Sequence, residues 1–208
     1  EKNWGIGDFS DLAQLIDKAA GVGADFIGLN PIHALYPANP NACSPYGPSS
    51  RRWLNYLYID VTAVEGYDDK AVQDVVSTKE FKALLQQARD AEHVDYEAVA
   101  HLKLSALYAL FNVYNDTFLK GKTPQNKAFN AFVEAGGESL DMLAVYDALQ
   151  SILKADGKES WGWPVFPKAY KDYHNSAVAK FKKDNAHDVK FYLFLQWIAA
   201  QQLELASS

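Results

Sequence analysis

Between Leu29 and Val61 the sequence gathers Tyr36, Tyr46 and Trp53 with His33 and Arg51 among five prolines, Pro31, Pro37, Pro40, Pro45 and Pro48. Flat aromatic faces among hydroxyl, amide and guanidinium groups suit a sugar, because a pyranose ring has an apolar face and a rim of hydroxyls. Proline fixes φ and removes a backbone donor, so this stretch is barred from helix and held stiff. A long irregular connection inside a compact domain is either functional or disordered, and this one is too aromatic for disorder. On composition alone a second reading stands level with binding: a rigid surface loop with its aromatics folded beneath it.

Other chemistries find less support. His33, His93, His101, His174 and His187 show no metal-ligand spacing with one another or with Cys43. Gly5-Ile6-Gly7 lacks the third glycine and the preceding strand of a phosphate loop, and no serine occupies a nucleophile elbow. Asp60, in the short extended run Tyr56 to Val61, has the character of a cap or hydrogen-bond acceptor. Cys43 reads as a small side chain in a loop.

The elements that must position this stretch can be read from periodicity and caps. Asp8 caps a helix carrying Leu12, Leu15, Ile16 and Ala19, and Gly21 and Gly23 end it. Asp25 to Leu29 reads as a short buried strand, so the expectation is an α/β unit with a parallel sheet. The proline-rich stretch would then leave the carboxyl end of a strand, where such folds build their sites, which favours binding. From about residue 70 the pattern turns helical. Thr78 to Ala91, Asp95 to about Leu119, Pro124 to Ala135 (closed by Gly136-Gly137) and Glu138 to Lys154 suggest a small antiparallel bundle. Ser176 caps a short charged helix through Lys183. Asp188 opens a last helix, apolar nearly all round, which should be buried on several sides with part of its cover missing.

Several blocks stand in a specific order: Trp4-Gly5-Ile6-Gly7-Asp8-Phe9, Asn30-Pro31-Ile32-His33-Ala34-Leu35-Tyr36-Pro37, Ser44-Pro45-Tyr46, Ser49-Ser50-Arg51-Arg52-Trp53-Leu54-Asn55 and Tyr58-Ile59-Asp60-Val61. Their spacing resembles the early barrel segment of the 4-alpha-glucanotransferases, the amylomaltase or disproportionating-enzyme family (glycoside hydrolase family 77). The resemblance weakens mid-chain and returns at Trp161-Gly162-Trp163-Pro164 and from Asp188 to Trp197. It implies a mainly α chain with a little β: a partial (β/α)8 TIM-barrel segment carrying a helical insertion subdomain. Residues 1–65 would be the partial barrel with its active-site loop, 66–185 the insertion, and 186–208 a returning barrel helix. Trp161-Gly162-Trp163-Pro164 would then plug the junction of bundle and barrel, a reading favoured over a sugar platform.

The same resemblance implies a retaining transfer of α-1,4-glucan segments between maltooligosaccharides. Such chemistry needs a carboxylate nucleophile and a carboxyl acid/base about 5–5.5 Å apart. The family carries an Asp nucleophile, a Glu acid/base and a stabilising Asp on later barrel strands. None of their motifs occurs before Ser208, so no catalytic residue is assigned within this chain. The expectation is therefore a segment of a larger enzyme, truncated at both ends and inactive alone. By resemblance Tyr46 stacks on the sugar next to the scissile bond, Ser44 offers it a hydroxyl, and Tyr36 lines a remote glucan groove. Asn55 either touches glucose or orients the loop, with the structural role favoured. Arg51 and Arg52 are expected to brace the loop, and His33 to anchor it. No cofactor or metal is expected. A free-standing carbohydrate-binding module and a helical scaffold remain the alternatives.

Composition agrees with a neutral partner. The chain has 208 residues, 49% apolar and 22% charged, and a net charge of -6, which argues against nucleic acid or an anionic membrane. One cysteine excludes an internal disulfide framework. No run approaches membrane-spanning length and the first residues do not read as a signal peptide, so a cytoplasmic protein is expected. An unpaired strand edge and the inner face of the last helix would be exposed, inviting self-association.

Overall fold

In the computed structural model, which describes residues 2–208, the chain is mostly helical with one two-stranded sheet. Helix α1 (Phe9–Gly21) opens on a capping box. Asp8 accepts from the Asp11 N–H at 3.0 Å, and Asp11 accepts from the Asp8 N–H at 3.1 Å, which satisfies backbone donors that the first turn leaves orphaned. The expected strand at Asp25 to Leu29 is not there. Those residues are irregular and mostly exposed, Phe26 by 85%. A short apolar run becomes a buried strand only where neighbours cover it, and among the described residues none does. The expected parallel sheet is likewise missing.

The sheet lies inside the proline-rich stretch instead. Strands β1 (His33–Ala34) and β2 (Ser50–Leu54) pair antiparallel, His33 opposite Leu54 and Ala34 opposite Ser50, with an irregular register between them. The Ser49 N–H to Ala34 carbonyl bond (2.8 Å) and the Asn55 N–H to Ile32 carbonyl bond (3.0 Å) extend the ladder. All five prolines fall outside the two strands, where they cost no ladder donor. Tyr56 to Val61, expected to be extended, forms two 3-10 turns instead, Tyr56–Tyr58 and Val61–Ala63, capped by Asn55 and Asp60.

The helical part follows its caps. Helix α2 (Lys70–Val76) was not anticipated, being too short for a periodic signal. Helices α3 (Lys79–Asp90) and α4 (Tyr96–Thr117) start at Thr78 and Asp95, whose side chains accept backbone N–H groups. Helix α5 (Pro124–Ala155) is broken where Gly136-Gly137 suggested, at Gly137 with φ 56° and ψ −151°, a conformation that only glycine adopts cheaply. Helix α6 (Ser176–Asp184) is capped by Asn175 rather than Ser176, and α7 (Ala186–Ser207) begins two residues before Asp188. Gly5 lies against α3 so closely that a Cβ there would stand 2.7 Å from the Ala88 carbonyl oxygen.

Helix α7 is the centre of the core. Val189, Phe191, Phe194, Leu195, Trp197, Ile198 and Ala199 are buried against α5, α1, α4 and α6. Its inner face is therefore covered, contrary to expectation. Exposed apolar side chains lie instead on α1 and the chain after it, at Leu15, Val22, Phe26 and Leu29, as well as at Leu205 near the end of α7 and at scattered positions of the helical part. One continuous core joins Trp4 and Ile59 to Leu107, Leu149 and Phe194, drawing on all three expected segments.

Most of the polar side chains inside this core are paired with backbone. Lys103 of α4, 1% exposed, donates to the carbonyls of Leu57 (2.6 Å) and Ile59 (2.7 Å). Burial pushes its pKa down to about 8 despite the nearby Asp8, Asp60 and Asp11 carboxylates. Two glutamines of α7 do what a neighbouring strand would do. Gln196 accepts from the Leu54 N–H (2.9 Å) and donates to its carbonyl (2.8 Å). Gln202 does the same at Asp60, both bonds 2.8 Å. Among the described residues, Asp147 Oδ1 and Gln150 Oε1 are buried acceptors without a donor.

Candidate functional site

The connection between β1 and β2, residues 35–49, is the part of the chain that carries the expected site. It is tied to the helical part by Lys154 Nζ donating to the Ala38 carbonyl (2.5 Å) and by Asn41 donating to Glu97 (2.6 Å). Near its far end Ser44 to Gly47 makes a turn, closed by the Gly47 N–H to Ser44 carbonyl bond at 3.1 Å. Tyr46 occupies the third position of that turn, 71% exposed, and its hydroxyl donates to Asn30 Oδ1 at 3.2 Å. The ring is thus open to solvent while its hydroxyl is held. Ser44 is exposed in the same turn. Asn30 also lines a cavity of ≈ 220 Å³ with Asp8, Phe9, Leu29, Ile32 and Tyr58. Burial raises the Asp8 carboxyl above its ordinary range, partly offset by the Asp11 backbone bond and Lys103.

The other two expected residues lie elsewhere. Asn55 is 2% exposed, and its side-chain oxygen accepts the Leu57 N–H at 3.0 Å, capping the first 3-10 turn. Tyr36 stands edge-on to Tyr146 of α5, ring centroids 6.4 Å apart at 60°. So Ser44 and Tyr46 share one turn, Tyr36 faces the helical part, and Asn55 sits in the base of the hairpin.

Tyr36 opens onto a groove of ≈ 710 Å³ between the hairpin and the helical part. Arg52 comes from β2, Glu138, Ser139 and Tyr146 from α5, and Trp163 from the loop beyond it. Ser139 is fixed by the Trp53 indole N–H at 3.1 Å. Burial pushes the Tyr146 hydroxyl up to about 12, so it is neutral and can both donate and accept. The expected plug is only partly a plug: Phe166 is buried at 3%, but Trp161 and Trp163 are 62% and 60% exposed. Both indoles are left largely in solvent, and the second faces the groove. Helical spacing alone would put Tyr146 in the core, and nothing in the sequence distinguishes a core tyrosine from one at a groove wall.

Arg51 and Arg52 are exposed, and among the described residues neither guanidinium makes the bracing hydrogen bonds expected of it. Asp60 is a cap: one oxygen accepts from Thr62 N–H (3.0 Å) and Oγ1 (2.7 Å), the other from the Ser10 hydroxyl (2.6 Å). No group of three His, Cys, Asp or Glu among the described residues could hold a metal ion. No described helix is long and apolar enough to cross a membrane.

Comparison with known proteins gives this geometry its setting. A 4-alpha-glucanotransferase from Haemophilus influenzae is 34% identical over 207 residues, covering 98% of this chain and 30% of its own length. A 4-alpha-glucanotransferase from Mycobacterium tuberculosis is 32% identical over 215 residues, covering 100% of the chain and 28% of its own length. The chain thus spans less than a third of these relatives. The crystal structure of amylomaltase from Corynebacterium glutamicum superposes with a TM-score of 0.70 at 27% identity, over 98% of this chain and 25% of that one. The family profile described as 4-alpha-glucanotransferase matches residues 1–208 from end to end, and with these relatives it establishes that the chain belongs to the 4-alpha-glucanotransferase family.

Proposed function

We propose that this chain is a glucan-binding part of a 4-alpha-glucanotransferase, with the catalytic carboxylates on later elements of a (β/α)8 barrel. Residues 1–65 and 186–208 would belong to that barrel and 66–185 to a helical insertion. In the reaction proposed for the whole protein, a carboxylate attacks the anomeric carbon as the C1–O4 bond breaks, and an acid protonates the departing O4. A second glucan's 4-hydroxyl then displaces the carboxylate from C1 and gives its proton to the same acid/base, now deprotonated, so configuration is retained. The substrates are maltooligosaccharides and α-1,4-glucans. Neither step calls for a cofactor.

The observation that carries this reading is Tyr46: an open aromatic ring on a proline-stiffened turn, with its hydroxyl held by Asn30. A ring held in this way can support a sugar of oxocarbenium character without first losing conformational freedom. Ser44 lies in the same turn, within reach of that sugar's hydroxyls. The test is calorimetric titration of the chain with maltotriose. Tyr46→Ala should lower affinity about tenfold, the scale of one lost aromatic contact, with the melting temperature unchanged because the ring is exposed. Unchanged affinity would remove Tyr46 from the site. The chain should also release no glucose from maltotriose, and sustained release would move catalysis onto a carboxylate of this chain.

A further inference from the structure

We infer that Asn30 is a specificity-determining residue of the Tyr46 site: its amide oxygen fixes the tyrosine ring, and its amide nitrogen is thereby aimed at the rim hydroxyls of a sugar lying on that ring. The inference rests on the glucan reading of Tyr46 for its ligand class and adds to it the group that selects a hydroxyl.

The oxygen comes first. Tyr46 is 71% exposed, so little packing restrains its two side-chain torsions, and the bond from its hydroxyl to Asn30 Oδ1 at 3.2 Å is what holds the ring. That bond reaches back 16 residues, from the turn to the chain before β1. Asn30 is itself a firm partner. Pro31 disfavours helical backbone at the residue before it, and the Ile32 carbonyl accepts the Asn55 N–H at 3.0 Å, which ties this backbone to the base of the hairpin. A ring restrained in this way loses less freedom when a ligand covers it.

The nitrogen is left over. An amide carries an acceptor on one branch and two donors on the other, all in one plane. With Tyr46 on the oxygen, the Asn30 amide cannot turn over without losing that bond, and its donors meet no acceptor among the described residues. Asn3, Asn41, Asn126 and Asn185, by contrast, give their amide nitrogens to protein acceptors. Asn30 is exposed and lines the ≈ 220 Å³ cavity beside the start of α1, so its donors are open to a ligand. A sugar stacked on Tyr46 sets its hydroxyls around the edge of the phenol ring, where Asn30 lies. Asp8, on the same cavity, disfavours an anion there, which leaves a neutral hydroxyl as the acceptor that fits. A donor placed to meet a hydroxyl discriminates against ligands that lack it more sharply than an apolar face does.

The experiment is calorimetric titration with maltotriose of the unaltered chain and of Asn30→Asp, Asn30→Ala and Tyr46→Ala, with three-bond couplings across the Tyr46 Cα–Cβ bond reporting the rotamers of the ring. Asn30→Asp keeps an oxygen for Tyr46 but has no donor. The ring should stay in one rotamer while affinity falls about fivefold, the scale of one hydrogen bond. Asn30→Ala should free the ring as well and lose about tenfold. Asn30 is exposed, so neither change should move the melting temperature, which sets these losses apart from a structural effect. If Asn30→Asp binds within twofold of the unaltered chain, or if the ring keeps one rotamer in Asn30→Ala, Asn30 does not have this role, and a loss in Tyr46→Ala leaves the reading of Tyr46 standing. If Tyr46→Ala keeps full affinity, or the unaltered chain does not bind maltotriose, the glucan reading falls and this inference falls with it.

Discussion

Replacing Gln196 by leucine tests whether helix α7 holds the hairpin through its side-chain amides. Leucine keeps most of the volume but removes both hydrogen bonds to Leu54, at 2.9 and 2.8 Å. Each such bond contributes about 0.5–1.5 kcal/mol net, but a backbone group left without a partner away from water costs about 1–3 kcal/mol. Leu54 is half-buried, so water reaches its peptide groups only in part, and the two losses together should come to about 2–4 kcal/mol. For a chain of this size that lowers the melting temperature by about 5–15 °C. Urea unfolding gives the energy, and hydrogen exchange at the Leu54 amide gives the place: protection there should fall before protection elsewhere in the core. Gln201→Leu, an exposed neighbour on the same helix, is the control and should change stability by less than about 0.5 kcal/mol. If Gln196→Leu is as stable as that control, or keeps the Leu54 amide protected, the amides do not hold the hairpin and apolar packing alone does.

Lys103 predicts an alkaline gain in stability. Its folded pKa lies below the unfolded 10.5, so between about 8 and 10.5 the unfolded chain holds a proton the folded one has released, and stability rises with pH. The whole drop corresponds to about 3 kcal/mol; a pH series from 8 to 9.5 should show part of this rise in the native chain and none in Lys103→Met. The opposite sign applies to Asp147, whose carboxyl burial raises well above its ordinary range. The stability it contributes in its protonated form is lost as pH rises through the folded pKa, and Asp147→Asn, always neutral and a donor, should be more stable than the native chain by about 1–3 kcal/mol above that pKa. Equal denaturation midpoints for the two chains across the pH range would show that the orphaned Asp147 oxygen has no energetic consequence.

Legibility followed the kind of physics involved. Helices α3 and α4 and the two halves of α5 were readable because Thr78, Asp95 and Gly136-Gly137 bound 3.6-periodic runs long enough to average out exceptions. The run at Asp25 to Leu29 was misread because its four apolar residues, Phe26 to Leu29, have the same composition whether covered or bare. The hairpin was missed because five prolines dominate the local signal, although none lies in β1 or β2. Of the candidate site, Tyr46 and Ser44 fall in one turn as their closeness in sequence suggests. That Tyr36 lines a groove came only from the resemblance, and the groove's far wall was out of reach, since Tyr36 and Trp163 are brought together only by the packing of α5 on the hairpin. The glutamine clamps and Lys103 left no distinct trace: α4 also carries Glu97, His101, Ser105 and Asn112, and α7 the exposed Gln201, so sequence alone does not say which polar residue turns inward.

The two glutamine clamps have a consequence for biosynthesis. Each joins residues 142 apart, Leu54 to Gln196 and Asp60 to Gln202. At about 5–20 residues per second, the ribosome makes the partner roughly 7–30 s after the hairpin itself. Throughout that interval the backbone from Leu54 to Asp60 lacks the groups that complete its hydrogen bonds, and the core lacks its central helix. The hairpin therefore acquires its final hold only after the 142 residues that follow each clamped position have been made, and its unsatisfied backbone and apolar surface stay bare until α7 arrives.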